Sequence, residues 1–127
     1  MKVITLEQAT IKLIGERGTK HSFFADNEAA SGISLSVNLL KPKSAPGNYH
    51  LHTKSSSIYY VLEGAARFIV NGKEMDLVKD TAILLERNEP HSISNVSDSN
   101  TLLLEIYSPA NPDFVEVKWP SSILRKT

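Results

Sequence analysis

Two histidines placed two residues apart, His50 and His52, are the side chains of this sequence best arranged to do chemistry. On a β-strand, side chains two positions apart leave the same face, so both imidazoles could reach one metal ion without bending the backbone. His91 opens a later strand candidate, and antiparallel packing could bring it opposite the pair. The same pattern also fits exposed or hydrogen-bonded histidines. His21 has no partner at ligand spacing and is predicted to be structural or at the surface.

The elements that must position these histidines are predicted to be short strands. Apolar and small polar residues alternate through 33–39, the two-residue period of a half-buried strand. Asn71-Gly72 accepts the positive φ angles of a type I′ turn, so 68–78 is predicted to be a hairpin. Residues 6–14 are predicted to be strand or turn. Further strands are predicted at 58–62, 81–85, 91–95, 101–107 and 114–119. Short strands at this spacing predict an all-β sandwich or barrel.

Composition excludes several classes of function. The chain has 127 residues, which predicts one domain, and 14 basic residues balance 14 acidic ones. Nucleic-acid binding is therefore not expected, because it needs concentrated Lys and Arg. The absence of Cys excludes disulfides, Cys-based zinc sites and thiol nucleophiles. No segment has the roughly 20 apolar residues of a membrane span, and the N-terminus lacks a secretory signal, so a cytoplasmic protein is expected.

Two stretches of the sequence resemble the two motifs of small single-domain cupins. The first is Gly47-Asn-Tyr-His-Leu-His52 followed by Ile58-Tyr-Tyr-Val-Leu-Glu-Gly64, and the second runs from Asp80 through Pro-His-Ser-Ile-Ser to Asn95. The resemblance covers about residues 33–108 and implies a jelly-roll β-barrel, the double-stranded β-helix, within a single domain spanning 1–127. It also implies a metal site made of His50, His52 and His91, and a homodimer.

The sequence departs from these motifs at positions that bear on the chemistry. Ser57 stands where the first motif usually supplies a Glu ligand. In the second motif, Asp80, Glu86 and Asn88 replace the usual Gly, Pro and Gly, so Asn88 is predicted to adopt the positive φ angle. Ser57 could hydrogen-bond a metal-bound water or simply enlarge the pocket. Tyr59 would face inward with it, either to donate a proton and orient substrate or as a core residue.

Three neutral imidazoles leave the double charge of a divalent ion uncompensated, which favours anionic oxygen donors. The expected cofactor is one divalent transition metal ion: Fe, Zn, Ni or Mn. The resemblance therefore implies a metal-binding cupin that acts on a small organic anion or carbonyl compound, as a dioxygenase or as a metal-assisted isomerase or cyclase. The alternatives are a non-catalytic module that binds a small ligand, with or without metal, and a decayed cupin that has lost its metal.

Other polar and aromatic residues give weaker expectations. Glu63 is predicted at the surface, and Glu105 either lines the pocket or faces solvent. Asn95 is predicted to fasten a strand end. Phe114 and Trp119 lie in a C-terminal segment that could pack over the barrel or into a second subunit.

Overall fold

The computed structural model describes residues 1–24 and 32–124, and within them almost all regular structure is antiparallel β-sheet. A six-stranded sheet has the order β1-β2-β3-β10-β5-β8, and a five-stranded sheet has the order β11-β4-β9-β6-β7. The strands are β1 (Thr10–Leu13), β2 (Gly18–Phe23), β3 (Ser34–Leu40), β4 (His50–Leu51), β5 (Ser56–Glu63), β6 (Ala65–Val70), β7 (Lys73–Val78), β8 (Ala82–Leu85), β9 (His91–Ser94), β10 (Thr101–Ser108) and β11 (Val115–Glu116). A 3-10 turn at Leu6–Gln8 and a short helix α1 at Ser121–Leu124 complete the described elements.

The predicted strands are confirmed, with one shortened. The hairpin forms between β6 and β7, and its turn residues Asn71 and Gly72 have φ angles of 50° and 78°. Residues 6–14 form the 3-10 turn and strand β1. The strand predicted at 114–119 is reduced to Val115–Glu116, and Val117 and Trp119 after it pack against the cluster of Tyr49, Ile69 and Ile123.

The core lies between the two sheets, and its largest fully buried members are Phe68, Leu85, Leu103 and Val61. These side chains come from strands of both sheets, so the two layers share one apolar interior. A smaller cluster of Tyr49, Ile69 and Ile123, with Val117 and Trp119 packed against it, attaches the C-terminal segment to the five-stranded sheet.

The six-stranded sheet has an unusual distribution of polarity. In β3 the alternation is present as predicted, but Ser36 and Asn38 are buried on the same face as Leu40, while Leu35, Val37 and Leu39 are only half-buried on the other face. Strand β10 likewise buries Glu105 towards the interior. Polar side chains therefore occupy part of the space between the sheets, as a ligand-binding interior requires.

Candidate functional site

The structure brings His50, His52 and His91 together at one point. His50 in β4 is the direct cross-strand partner of His91 in β9, and His52 follows β4 on the same side. Each residue offers one ligand atom, and these three atoms all lie within 4.8 Å of one another. Zinc binds histidine nitrogens at about 2.0–2.1 Å, so two ligands of one ion lie at most about 4.2 Å apart, and atoms within 4.8 Å of one another need only a small side-chain adjustment to share an ion. His21 lies elsewhere, half-buried with its Nε2 3.1 Å from the Thr19 hydroxyl.

Backbone carbonyls orient all three rings in the same way. The Nδ1 atom lies 2.8 Å from the Asn48 oxygen in His50, 2.6 Å from the Asp113 oxygen in His52, and 2.9 Å from the Glu89 oxygen in His91. A carbonyl oxygen can only accept a hydrogen bond, so Nδ1 carries the proton in each ring. The lone pair of each neutral imidazole is therefore on Nε2.

Two of these lone pairs are buried without a partner. Among the described residues, Nε2 of His52 and Nε2 of His91 are inaccessible to solvent and accept no hydrogen bond. Buried polar atoms normally have a partner, because leaving one unsatisfied costs about 1–3 kcal/mol. A metal ion bound to Nε2, with Nδ1–H donating to a carbonyl, is the usual arrangement of a metal-binding histidine, so these residues fit such an ion.

The site favours uncharged imidazoles. The pKa of His50 is lowered to about 4, mainly by burial and also by the neighbouring His91 and His52, against the opposing hydrogen bond to Asn48. Burial also lowers the pKa of His91. The deprotonated form is the one that can bind a metal, so the fold holds these rings ready to act as ligands near neutral pH.

A segment late in the chain covers the histidine cluster. The Phe114 ring stacks on His50 with 3.8 Å between ring centroids. The Asp113 carboxylate accepts hydrogen bonds from the Thr53 backbone N–H and hydroxyl, at 2.8 and 2.5 Å. The sequence left Phe114 either over the barrel or in a second subunit; in the single chain its ring lies on His50 and is 60 % exposed. The role of Asp113 was not visible in the sequence, because no local pattern relates it to His52.

The second-motif residues adopt special backbone angles, and one of them contacts the histidine cluster. Asn88 has a φ of 67°, as predicted, and its backbone N–H donates to the His52 carbonyl at 2.8 Å. Asp80 also has a positive φ, 65°.

Asn95 is fully buried, and its amide donates to the carbonyls of Leu40, Lys41 and Ser99, so the prediction that it fastens strand ends is confirmed.

Ser57 and Tyr59 both point into the interior from β5. Ser57 is 2 % exposed, and among the described residues its hydroxyl has no hydrogen-bond partner. Its cross-strand neighbour Tyr107 contacts the His52 ring, with centroids 5.2 Å apart. Tyr59 belongs to the apolar core, where its ring meets Phe68 edge-on, and it also lines the cavity. Burial raises the pKa of Tyr59 well above its usual value, so the hydroxyl keeps its proton.

A buried carboxylate, Glu105, lies on the polar part of the six-stranded sheet. Its Oε1 accepts from Lys20 Nζ at 3.1 Å, Asn38 Nδ2 at 3.0 Å and Ser36 Oγ at 3.2 Å. Burial opposes its ionisation, but Lys20 and hydrogen bonds from Tyr107, among others, outweigh burial and hold the pKa of Glu105 below its usual range. The sequence left open whether Glu105 lines the pocket or faces solvent, and in the structure it lines the cavity. Glu63 is exposed, as predicted.

A cavity of about 560 Å³ begins at His50 and extends between the sheets past Tyr59, Glu105 and Tyr107. Arg17 lines it and donates from Nε to the Ala45 carbonyl at 3.0 Å and from Nη2 to the Ile93 carbonyl at 2.6 Å. No carboxylate in the described part of the chain lies within 4.0 Å of this guanidinium. Burial lowers the pKa of Arg17, which reflects the cost of a charge that has only neutral partners.

Gly47 makes the position of Arg17 possible. A Cβ atom at residue 47 would lie 2.7 Å from Arg17 Nη1 and 3.0 Å from Cζ, so a side chain there would displace the guanidinium. Arg17, Lys20 and Asn38 were not recognised from the sequence as site residues, because the turn before β2 and strands β2 and β3 reach the cavity only through the sheet pairing.

Solved structures and one family match this chain. The polyketide cyclase RemF from Streptomyces resistomycificus is 17 % identical with a TM-score of 0.80, covering 100 % of this chain and 94 % of that chain. KdgF from Halomonas sp. is 14 % identical with a TM-score of 0.75, covering 87 % and 96 %. A sugar phosphate isomerase from Silicibacter pomeroyi is 15 % identical with a TM-score of 0.71, covering 84 % and 75 %.

These likenesses establish the fold as the cupin double-stranded β-helix. No curated protein matches the sequence. No helix among the described residues is long and apolar enough to cross a membrane. The cupin domain family matches residues 37–107, which is more than half of the chain and includes all three clustered histidines. The chain therefore belongs to the cupin family.

Proposed function

We propose that this protein binds one divalent transition metal ion through Nε2 of His50, His52 and His91, and that it acts on a small organic anion or carbonyl compound in the adjoining cavity. The observation that carries the proposal is the shared orientation of the rings. Three Nδ1–H groups donate to three carbonyls, which leaves the Nε2 lone pair of each ring for a metal, and the ligand atoms of the three rings lie within 4.8 Å of one another. Two of those lone pairs are buried with no other partner among the described residues.

The three histidine donors determine which kind of further ligand a bound metal ion would prefer. Bound there, the ion would act as a Lewis acid that polarises a carbonyl or stabilises an enolate. Three neutral imidazoles do not offset its double charge, and Ser57 replaces the carboxylate that would do so. An anionic oxygen donor from the substrate is therefore favoured. Imidazole nitrogen suits Fe, Zn and Ni, and Mn is the remaining candidate ion.

Arg17 supplies the second reason to propose an anionic substrate. Its guanidinium lines the cavity, and among the described residues it has carbonyl partners but no carboxylate. Lys20, by contrast, is already paired with Glu105 at 3.1 Å. A desolvated cation without a counter-ion is costly, so a bound carboxylate or enolate would relieve that cost.

Tyr59 and Ser57 are the proposed catalytic residues. Tyr59 lines the cavity, and its raised pKa keeps the hydroxyl protonated, so we propose that this group donates a hydrogen bond to substrate oxygen and orients the substrate. The buried Ser57 hydroxyl has no partner among the described residues and can orient a polar group beside the histidine cluster.

An isomerase or cyclase is the leading reaction class. Both need only polarisation of a carbonyl and movement of a proton, and we propose that Tyr59 assists by hydrogen-bonding the substrate oxygen. Two structurally similar proteins are a polyketide cyclase and a sugar phosphate isomerase. The second candidate is a dioxygenase, which the three-histidine donor set itself favours because it leaves coordination positions for both substrate and O₂. A non-catalytic binding module is the alternative without turnover.

The further expectations from the family resemblance stay part of this proposal. We propose that residues 1–127 act as a single cupin domain, in the cytoplasm, as a homodimer, with a small molecule rather than nucleic acid or a membrane as the binding partner.

Elemental analysis of the protein purified without chelators tests the metal assignment. We expect close to one equivalent of a transition metal in the wild type and in His21→Ala, and a large loss in His52→Ala. The assignment would be refuted if no transition metal approached one equivalent, either in the purified protein or after incubation with Fe, Zn, Ni and Mn salts.

Oxygen consumption by the iron-loaded protein, with a panel of β-diketones and aromatic acids, then separates a dioxygenase from an isomerase or cyclase. Uptake of O₂ dependent on substrate supports the former. Substrate conversion without O₂ uptake supports the latter, and binding without any conversion supports the non-catalytic module.

A further inference from the structure

Arg17 has hydrogen-bond donors that no described residue uses. A guanidinium carries five N–H groups. One on Nε and one on Nη2 donate to the carbonyls of Ala45 and Ile93, which leaves three, and Nη1 makes no hydrogen bond within residues 1–24 and 32–124. The side chain also lines the cavity. Spare N–H groups on both terminal nitrogens are what arginine needs to bind a carboxylate through two parallel hydrogen bonds.

The guanidinium and the histidine cluster are separate points held by the same two segments. The Ile93 carbonyl that accepts from Arg17 lies two residues after His91 in β9, roughly 7 Å along the strand. Loop 45–48 also accepts a hydrogen bond from this guanidinium, and its last carbonyl orients the His50 ring. Arg17 and His50 both line the cavity. One molecule in the cavity could therefore contact both points, each with a different group.

The charges around the cavity indicate which group would bind Arg17. Three of the cavity-lining residues are cationic, namely Lys12, Arg17 and Lys20. Lys20 is paired with Glu105 at 3.1 Å, and Lys12 is exposed to water. Arg17 is the cation that is partly buried without a carboxylate partner among the described residues. A single unbalanced charge matches a carboxylate, whereas a phosphate monoester carries nearly two negative charges.

We propose that Arg17 is a carboxylate-binding subsite and that the substrate is an oxo-carboxylate, an acid whose carboxylate binds Arg17 while a separate carbonyl or enolate oxygen faces the histidine cluster. The second half of this inference rests on the proposed metal-dependent function, and the first half does not. Gly47 maintains the subsite, because a Cβ atom there would lie 2.7 Å from Arg17 Nη1. The φ of Gly47 is not positive, so Gly47→Ala suits the backbone, displaces the guanidinium and keeps its charge in the chain.

An NMR titration of the metal-free protein with glutarate tests the subsite itself. We expect Arg17→Gln to weaken glutarate binding about tenfold or more, since charge-assisted hydrogen bonds to a carboxylate are lost. Gly47→Ala should weaken binding in the same direction. The matched control is Arg67→Gln, which removes an equal charge from an arginine that is paired with Asp76 and does not line the cavity. This control should bind glutarate as the wild type does.

Equal affinity of the wild type and Arg17→Gln would overturn the subsite, and so would a wild type that shows no binding of glutarate. Methyl phosphate binding more tightly than glutarate would overturn the assignment of a carboxylate. Circular dichroism establishes whether each variant is folded. If Arg17→Gln does not fold, Gly47→Ala decides, and an unchanged affinity in that variant would overturn the subsite.

The zinc-loaded protein tests whether one ligand binds both points. Glutarate should bind at least about tenfold more tightly than its monomethyl ester, because the second contact is intramolecular once the first has formed. This ratio should fall below about threefold in Arg17→Gln, where one of the two contacts is lost. Equal affinities of glutarate and the ester for the wild type would overturn the two-point substrate. If the protein binds no metal, the proposed function and the two-point substrate fail together, whereas the metal-free titration still decides the Arg17 subsite.

Discussion

The ion pair between Lys20 and Glu105 should contribute a large coupling energy to the stability of the fold. The distance of 3.1 Å corresponds to about 5 kcal/mol of attraction at an effective dielectric constant of 20. The carboxylate is almost fully buried, whereas the Lys20 side chain is 31 % exposed, so desolvation and screening offset part of that attraction. We expect a coupling of about 2 kcal/mol, and a cost of about 3 kcal/mol for removing either partner alone.

A double-mutant cycle measures this coupling. The variants are Lys20→Met, Glu105→Gln and the double substitution, each unfolded in urea to obtain the free energy of unfolding. The double variant should be more stable than the sum of the two single losses predicts, by the coupling energy. Glu105→Gln keeps the shape of the side chain, so the polar contacts from Asn38 and Ser36 lose charge assistance rather than space.

The chain offers a matched control for the same measurement. Lys43 and Asp98 are also 3.1 Å apart, but their side chains are 74 % and 88 % exposed. Their coupling should be below about 1 kcal/mol, because water screens the pair and both side chains lose rotamer freedom. Additive effects at Lys20 and Glu105, within about 0.5 kcal/mol, would refute the reasoning that burial strengthens this pair.

Three further predictions follow from single side chains. Asn95→Ala should lower the free energy of unfolding by about 3 kcal/mol in a urea titration, because three carbonyls lose their shared donor; a loss under about 1 kcal/mol would contradict this. Ser57→Glu should raise ion affinity at least about tenfold in a chelator competition and weaken malonate binding to the loaded protein; no change in either would place residue 57 outside the metal's surroundings. The free energy of unfolding of wild type should exceed that of Glu105→Gln by its largest amount above the unfolded-state pKa of Glu105. This difference should shrink as the pH falls through the lowered folded-state pKa. A difference independent of pH would contradict an ionised Glu105.

Strand β3 shows a feature of the fold that its sequence pattern does not predict, namely which of its faces points to the interior. The two-residue alternation through 33–39 correctly predicts a strand, because the period follows from backbone geometry alone. The inward face, however, carries Ser36 and Asn38, and the outward face carries the apolar residues. A single strand does not report which of its faces meets the second sheet. That depends on what β10 and β2 place beside it, namely Glu105 and Lys20.

The sequence alone determined the all-β class, the Asn71-Gly72 turn, the positive φ at Asn88 and the three histidines, because spacing and local backbone preference act over a few residues. The tertiary structure decided the rest. The carbonyl of Asp113 on His52, the carbonyl partners of Arg17 and the pairing of Lys20 with Glu105 join residues far apart in the chain. Such contacts depend on how sheets pair and pack, and no local pattern encodes that.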